Sequence, residues 1–253
     1  MKRLFRQSAF LLGFVALWWV IARLAIWPSY LFPSPRGVLR ALIDGFADRT
    51  FVIGLEISLK RIAVGYALSV VLGVGLGCLI AASQLLKDTL GGPVLSMQSL
   101  PSLCWLPLAV LWFGLSEKAI IFVVVMGSLL SVTINTETGL RHVPRIYLMA
   151  GRNLGASGPR LIAHVLLPAS LPHLVAGLKQ GWAFAWRSLI SGEMIFVSLG
   201  LGHLLMMGRD LNDVNQVVAV MVLIVGVGLL VDRFLFELLE SRIRQRWGVV
   251  PLT

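Results

Sequence analysis

Charged side chains are scarce in this sequence. Asp, Glu, Lys and Arg make up 13% of the 253 residues, against about 25% in a typical soluble domain. The mean hydropathy is +0.86 and 57% of the residues are hydrophobic. Apolar runs recur from Ser8 to Leu239, and a membrane-spanning helix needs about 20 such residues to cross a hydrocarbon core of about 30 Å. These values exclude a water-soluble globular domain and predict a polytopic, all-α membrane protein.

Residue patterns that bind metals or nucleotides are missing as well. The two cysteines, Cys78 and Cys104, lie in apolar stretches without a CxxC spacing, and the four histidines show no spacing that converges metal ligands. The sequence has no GxxxxGK[ST] loop with which to bind ATP phosphates and Mg²⁺. We therefore predict no catalytic residue, no metal site and no cofactor in this chain, so that any use of ATP requires a separate ATPase.

The net charge of +10 does not indicate a nucleic-acid partner, because the basic residues form no single patch or stripe. Most of them lie between the apolar runs, where positive residues mark cytoplasmic loops. They precede the first run, lie between the second and third and between the fourth and fifth, and follow the sixth. A smaller group lies in the first loop, on the opposite side, and weakens this bias: Arg36, Arg40, Arg49, Lys60 and Arg61. This distribution predicts that both termini are cytoplasmic.

Six membrane spans are predicted within one transmembrane domain over residues 1–253. They lie at about 8–27, 61–83, 94–113, 119–138, 173–198 and 215–238. The first is interpreted as a retained span, because it ends without a clean signal-peptide cleavage site. The third contains Pro101 and Pro107 and is expected to pack inside the bundle. Apolar residues at helical spacing between 38 and 46 predict an external amphipathic helix, either in the interface or against the spans.

The segment 139–172 is too long for a simple hairpin. It is bounded by Pro144, Pro168 and Pro172, and a Gly-Ala-Ser-Gly-Pro break at 155–159 separates two short helical stretches. This pattern predicts a helix–turn–helix along the cytoplasmic face. The residues alone leave two interpretations open, a docking element for a partner protein and an ordinary structured loop.

The same segment resembles the EAA loop of type I ATP-binding-cassette importer permeases. Gly155 falls on the glycine of that pattern, while Met149 replaces its glutamate and Gly151 its second alanine. The residues that the resemblance assigns to ATPase coupling are Ala150, Gly151, Arg152, Gly155, Ala156, Ser157, Val165, Leu167 and Pro168.

The resemblance extends over nearly the whole chain, through LFPSP (31–35), WLPLAVLWFGLSEKA (105–119) and VLLPASLPHLVAGLK (165–179). These stretches look like the nitrate, sulfonate, taurine and bicarbonate branch, and most like aliphatic sulfonate permeases. The resemblance implies a six-helix permease of the bacterial inner membrane, surrounded by lipid. It further implies a homodimer, two ATPase subunits that bind ATP and Mg²⁺, an external substrate-binding protein, and import of a small anion by alternating access.

Arg187 is the main candidate for contact with the anion, because it falls near the middle of the fifth span with Ser188 and Ser191 within a turn. A guanidinium can hold an oxyanion by two parallel hydrogen bonds. The alternative is an internal ion pair with a glutamate such as Glu137. Three tryptophans are candidates for an apolar wall of the path, although packing is the commoner role of such residues: Trp105, Trp182 and Trp186. Glu193 is interpreted as structural.

Two other functions fit the sequence less well. A self-sufficient secondary transporter or channel usually has two related halves and its own coupling carboxylates, and the sequence shows no inverted repeat. A membrane-embedded enzyme would need a nucleophile and base or metal ligands at one depth, and none is found.

Overall fold

The protein is described by a computed structural model, in which residues 2–24, 26–28, 30–196 and 198–247 are described. The side chains of four basic terminal residues that entered the orientation prediction, Lys2, Arg3, Arg244 and Arg246, lie outside this description. The described residues form helices and turns, with no strand among them. The helices are α1 (Lys2–Arg23), α2 (Pro35–Ala47), α3 (Thr50–Ala82), α4 (Gln84–Gln98), α5 (Ser102–Phe113), α6 (Glu117–Arg141), α7 (Arg145–Asn153), α8 (Gly158–Ile195), α9 (Leu201–Asp210) and α10 (Val214–Ile243).

Four helices of the described chain, α3, α6, α8 and α10, are long and apolar enough to cross a membrane. The pair α4 and α5, bent by 103°, adds a fifth if it forms one broken span. In α1 the apolar stretch Leu12–Arg23 is shorter than a span. The all-α membrane architecture is therefore confirmed, whereas the count of six spans and the cytoplasmic termini stay predictions.

The second span begins earlier than predicted, at Thr50 instead of residue 61. Asp48 Oδ1 accepts a hydrogen bond from the Thr50 N–H at 2.8 Å, and this bond holds the pKa of the Asp48 carboxyl below its usual value. Arg61 was assigned to the preceding loop, but its side chain is buried in α3 and its Nη2 lies 2.6 Å from Glu117 Oε1. The ion pair explains why a charged residue is accommodated within the helix.

The segment 139–172 also differs from its predicted boundaries. α6 continues to Arg141, and the predicted second short helix is the beginning of α8. Pro168 and Pro172 were taken as boundaries, yet both lie inside this continuous helix, just after a π-helical turn at Ile162–Leu166. Proline removes one backbone hydrogen bond, and membrane helices tolerate it where other groups satisfy the freed carbonyl. The helix–turn–helix is therefore made of α7, the break at Leu154–Ser157 and the start of α8.

The chain divides into two compact units. The first contains the residues up to Ser58 together with Glu193–Gly226, and the Trp18 Nε1–H within it donates to the Pro33 carbonyl at 2.9 Å. The second contains Leu59–Gly192 and the residues from Val227 onward. Its packing includes a cluster of Ile80, Val94 and Leu130 and a hydroxyl hydrogen bond of 2.7 Å between Ser128 and Ser69.

Candidate functional site

The break between α4 and α5 lies in the second unit. Pro101 has no N–H to donate and disfavours helical geometry in the residue before it, which explains why α4 ends at Gln98 and α5 restarts at Ser102. Broken helices at membrane depth are tolerated where the irregular backbone is buried in protein or lines a cavity. This break borders such a cavity.

The cavity has a volume of about 210 Å³ and is bordered by the break, α6 and α8. It is lined by Met97, Gln98, Ser99, Leu100, Pro101, Ser102, Met126, Gly127, Leu130 and Phe184. No ionisable residue belongs to this described lining. Gln98 and Ser102 are half-buried, and neither side chain has a hydrogen-bond partner among the described residues. The cavity therefore combines apolar walls with uncommitted neutral hydrogen-bonding groups.

Arg187 lies beside one wall of this cavity. Its guanidinium carbon is 4.7 Å from the centroid of the Phe184 ring, a cation–π distance, and its Nε donates to the Ala183 carbonyl at 3.1 Å. The alternative pair with Glu137 is not formed, because Glu137 Oε1 lies 2.6 Å from Arg141 Nε. The exposed Arg187 side chain therefore keeps its terminal nitrogens without a partner in the described chain.

The exposed face of α8 carries polar or small side chains for several turns. At alternating spacings of three and four residues it carries His173, Ala176, Gln180, Ala183 and Arg187. Lipid-facing helix surfaces are apolar, whereas ionisable residues within spans face protein or a water-filled cavity. This composition indicates that the Arg187 face of α8 is turned away from lipid.

The structure separates the other predicted path residues. Ser188 is buried next to Gly127 of the cavity lining, and its hydroxyl donates to the Phe184 carbonyl at 2.7 Å. Ser191 is half-buried, and Trp105 lies half-buried in the first turn of α5. Trp182 and Trp186 stack with centroids 6.2 Å apart in an aromatic cluster that includes Tyr66 of α3 and Phe236 of α10. Arg187 and Ser188 thus flank the cavity, while these two tryptophans take part in helix packing.

An ion pair between spans was missed at the sequence level. Lys179 Nζ of α8 lies 2.8 Å from Asp232 Oδ1 of α10, at the start of a π-helical turn, Asp232–Phe236. A lysine and an aspartate in separate apolar runs indicate a candidate pair, but the sequence alone does not align the two helices.

Reversing this pair provides a test of its role. We expect Lys179→Asp and Asp232→Lys each to lower the thermal stability of the purified protein, because each places two like charges together within apolar helices. The double reversal is expected to recover most of that loss, as measured by thermal unfolding in one detergent. A double variant no more stable than the single variants would contradict a direct pair.

The turn after α7 has the geometry of a helix C-cap. The Gly155 N–H donates to the Arg152 carbonyl and the Ala156 N–H to the Gly151 carbonyl, each at 2.9 Å, which together form a Schellman motif. Gly155 has φ +83°, a conformation that glycine adopts without strain. The predicted break is therefore present, and Leu154 at its tip is 88% exposed. We name α7, this turn and the residues up to Val165 the knob.

Packing explains one departure from the EAA pattern. Gly151 is buried, and a Cβ at this position would lie 2.8 Å from a Val165 methyl carbon and 2.9 Å from a Leu161 methyl carbon. Glycine in place of the second alanine thus allows α7 to approach the start of α8 closely. Met149, in place of the glutamate, is exposed on the knob.

A buried carboxylate caps α9 in the first unit. Glu193 is fully buried, accepts the Ser58 hydroxyl at 2.8 Å and accepts the Gly202 N–H at 3.1 Å. Ser58 Oγ accepts the Leu201 N–H at 2.9 Å. Two N–H groups at the helix start, which lack partners within the helix, are therefore satisfied by residues of α8 and α3. This geometry agrees with the structural interpretation of Glu193.

Several cavity residues were not identified from the sequence. Gln98, Ser102 and Phe184 carry no motif, and each residue type is common in membrane helices. The available signal was the proline break itself, because a polar residue on either side of a proline inside an apolar run marks an interrupted span.

The chain is similar in sequence to known membrane transport proteins. Residues 69–245 match the family described as binding-protein-dependent transport system inner membrane component. The chain is 33% identical over 236 residues to the putative aliphatic sulfonates transport permease protein SsuC of Escherichia coli (strain K12), covering 93% of this chain and 89% of the relative. It is 30% identical over 198 residues to the nitrate import permease protein NrtB of Synechocystis sp., covering 78% and 72%. The taurine transport system permease protein TauC of Escherichia coli is 28% identical, with coverage of 90% and 86%.

A solved structure supports the fold independently. The inward-facing MetNI methionine ABC transporter aligns with a TM-score of 0.69 at 20% identity, covering 77% of this chain and 96% of the matched chain. The family match and the relatives confirm the resemblance seen in the sequence. The chain therefore belongs to the family of inner membrane components of binding-protein-dependent transport systems, whose relatives include permeases of ATP-binding-cassette importers.

Proposed function

We propose that this chain is the permease subunit of an ATP-driven importer that moves a small anion, such as an aliphatic sulfonate, taurine or nitrate, across the cytoplasmic membrane by alternating access. Two copies would form the path, two ATPase subunits would bind ATP and Mg²⁺, and an external binding protein would deliver the anion. The names of the sulfonate, nitrate and taurine relatives support this anion class.

The observation that carries the proposal is the position of Arg187. Its guanidinium stacks on a wall of the cavity, its terminal nitrogens are uncommitted among the described residues, and the cavity lining contains no carboxylate. An uncompensated cation beside neutral hydrogen-bonding groups attracts an anion and disfavours a cation. The planar guanidinium also offers paired N–H groups that match the oxygens of a sulfonate, nitrate or carboxylate.

The knob supplies the means of coupling. It projects the exposed Leu154 from a turn fixed by backbone hydrogen bonds, and its second helical stretch is the start of α8, the helix that carries Arg187. ATPase subunits that bind the knob differently in two states would shift the permease between inward-facing and outward-facing forms. The residues of the predicted coupling loop are proposed to act in this way.

Uptake into proteoliposomes tests the proposed function. Vesicles would contain the chain alone or the chain with its ATPase subunits and binding protein, with radiolabelled butanesulfonate outside. We expect uptake only in the complete system with ATP and Mg²⁺. Uptake by the chain alone, unchanged by ATP, would instead support a secondary transporter or channel, a function that none of the relatives supports.

Arg187 can be tested within the same system. We expect Arg187→Met to lower ATP-driven uptake about tenfold or more, because loss of a charge-assisted hydrogen bond is worth roughly 1.5–3 kcal/mol, and Arg187→Lys to retain part of it. The matched control is Arg209→Met, since Arg209 is also exposed but is paired with Asp210. Normal uptake by Arg187→Met, with ATPase subunits still bound, would show that Arg187 is a packing residue.

A further inference from the structure

We infer that the cavity at the α4–α5 break is a selectivity site that favours alkanesulfonates over bare inorganic anions and over aminosulfonates. The inference rests on the proposed function and specifies its substrate class. It depends on three features of the cavity, namely its uncommitted polar groups, its apolar walls and the absence of acidic residues from its described lining.

The uncommitted polar groups of the lining are those of Gln98 and Ser102, whose side chains have no partner among the described residues. Ser99 differs, because its hydroxyl already donates to the Ser96 carbonyl at 2.7 Å. Half-buried donors without partners favour a ligand that accepts hydrogen bonds. The Arg187 guanidinium lies outside the lining and stacks on Phe184, a lining residue, so that the cavity and its border offer neutral and positively charged donors to the oxygens of a sulfonate.

The apolar side chains of the lining include Phe184, Met97, Met126 and Leu130. These walls would gain from contact with an alkyl chain, as burial of each methylene favours binding by about fourfold. Nitrate has no apolar part to place against them, and its desolvation there would not be compensated. The volume of about 210 Å³ lies below the roughly 300 Å³ at which sites for drug-sized ligands begin, so the tail must be short.

The lack of an acidic side chain in the described lining is a second source of selectivity, because it disfavours ligands that carry an ammonium group. Taurine differs from propanesulfonate mainly by an ammonium group in place of a methyl group. An ammonium needs a carboxylate or water when it is buried, and none of the ten lining residues carries a carboxylate. Propanesulfonate is therefore expected to bind more tightly than taurine.

Direct binding to the permease–ATPase complex in nanodiscs, without a binding protein, tests this inference. Radiolabelled butanesulfonate would be displaced by methanesulfonate, ethanesulfonate, propanesulfonate, taurine and sodium nitrate. We expect affinity to rise about fourfold per methylene until the cavity is filled, with taurine and nitrate at least tenfold weaker than propanesulfonate. Equal displacement by nitrate and the longer sulfonates would overturn the inference.

Variants of the lining residues test whether the selectivity arises at the cavity. Phe184→Ala should flatten the dependence on chain length, and Ser102→Ala should weaken all sulfonates about tenfold, whereas Ser102→Thr should restore binding because it keeps the hydroxyl. Ser96→Ala is the matched control, since Ser96 is exposed, lies outside the lining and donates only to the Gly92 carbonyl. Identical affinities for Ser102→Ala and Ser96→Ala would also overturn the inference.

Measurements of ATP-driven uptake distinguish a failure of this inference from a failure of the proposed function. If ATP-driven uptake occurs in the complete system but does not depend on Ser102 or Phe184, only the selectivity site is wrong. If no anion is taken up with ATP, the proposed function fails as well. Retention of the ATPase subunits by each variant shows that the permease has folded.

Discussion

Leu154→Asp is expected to abolish stable association with the ATPase subunits and, with it, ATP-driven uptake. Leu154 is 88% exposed at the tip of the knob, so the substitution has no buried contact to lose within the chain. In an interface, however, the new carboxylate would be desolvated without a partner. We expect at least a tenfold loss of affinity, which corresponds to about 1.4 kcal/mol, measured by co-purification and by ATPase titration.

The matched control is Leu85→Asp. Leu85 is 72% exposed on α4, in the other loop predicted to be cytoplasmic, and the knob does not include it. We expect this variant to retain the ATPase subunits. Equal loss in both variants would indicate a general effect of an added carboxylate, and full retention by Leu154→Asp would exclude the tip of the knob as the dock.

The turn can be tested separately from the exposed leucine. Gly155→Asp combines a conformation that non-glycine residues rarely adopt with a new charge, and deletion of residues 152–160 removes the turn altogether. Both are expected to prevent ATPase co-purification while membrane insertion continues. Gly155→Asn is the informative comparison, because asparagine tolerates this conformation better than most residues and carries no charge.

The sequence predicted those parts of the fold that depend on local chemistry. Apolar runs of spanning length correspond to α3, α6, α8 and α10. The break after α7 follows from Gly155, which ends a helix where a left-handed residue is needed. Such features are readable because each depends on a few neighbouring residues.

Features that depend on long-range packing were missed or misplaced. The buried ion pair of Arg61 was not predicted, because its partner Glu117 lies in another helix. Pro172 was taken as a boundary, since the sequence does not reveal a helix that continues through it. The residues around the cavity come from three separate helical segments, so that no local pattern identifies them together.

Glu193→Ala is expected to lower the stability of the first unit by about 2–4 kcal/mol, the cost of leaving two buried donors unsatisfied. The variant removes the acceptor of the Ser58 hydroxyl and of the Gly202 N–H, so that α9 loses part of its N-terminal cap. Glu193→Gln keeps the volume and one acceptor oxygen and should lose less. Thermal unfolding of the purified protein and proteolysis within 196–202 provide the measurements.

A second substitution, at Gly200, tests whether Gly200 and Glu193 contribute to stability together or independently. A Cβ on Gly200 would lie 2.5 Å from the Glu193 carboxylate, so Gly200→Ala should destabilise the protein by displacing that group, at a cost of about 1–3 kcal/mol. In Glu193→Ala the obstacle is absent, and adding Gly200→Ala should cost much less. A double-mutant cycle would then give a coupling energy of about 1 kcal/mol or more. Additive losses would show that the two residues act independently.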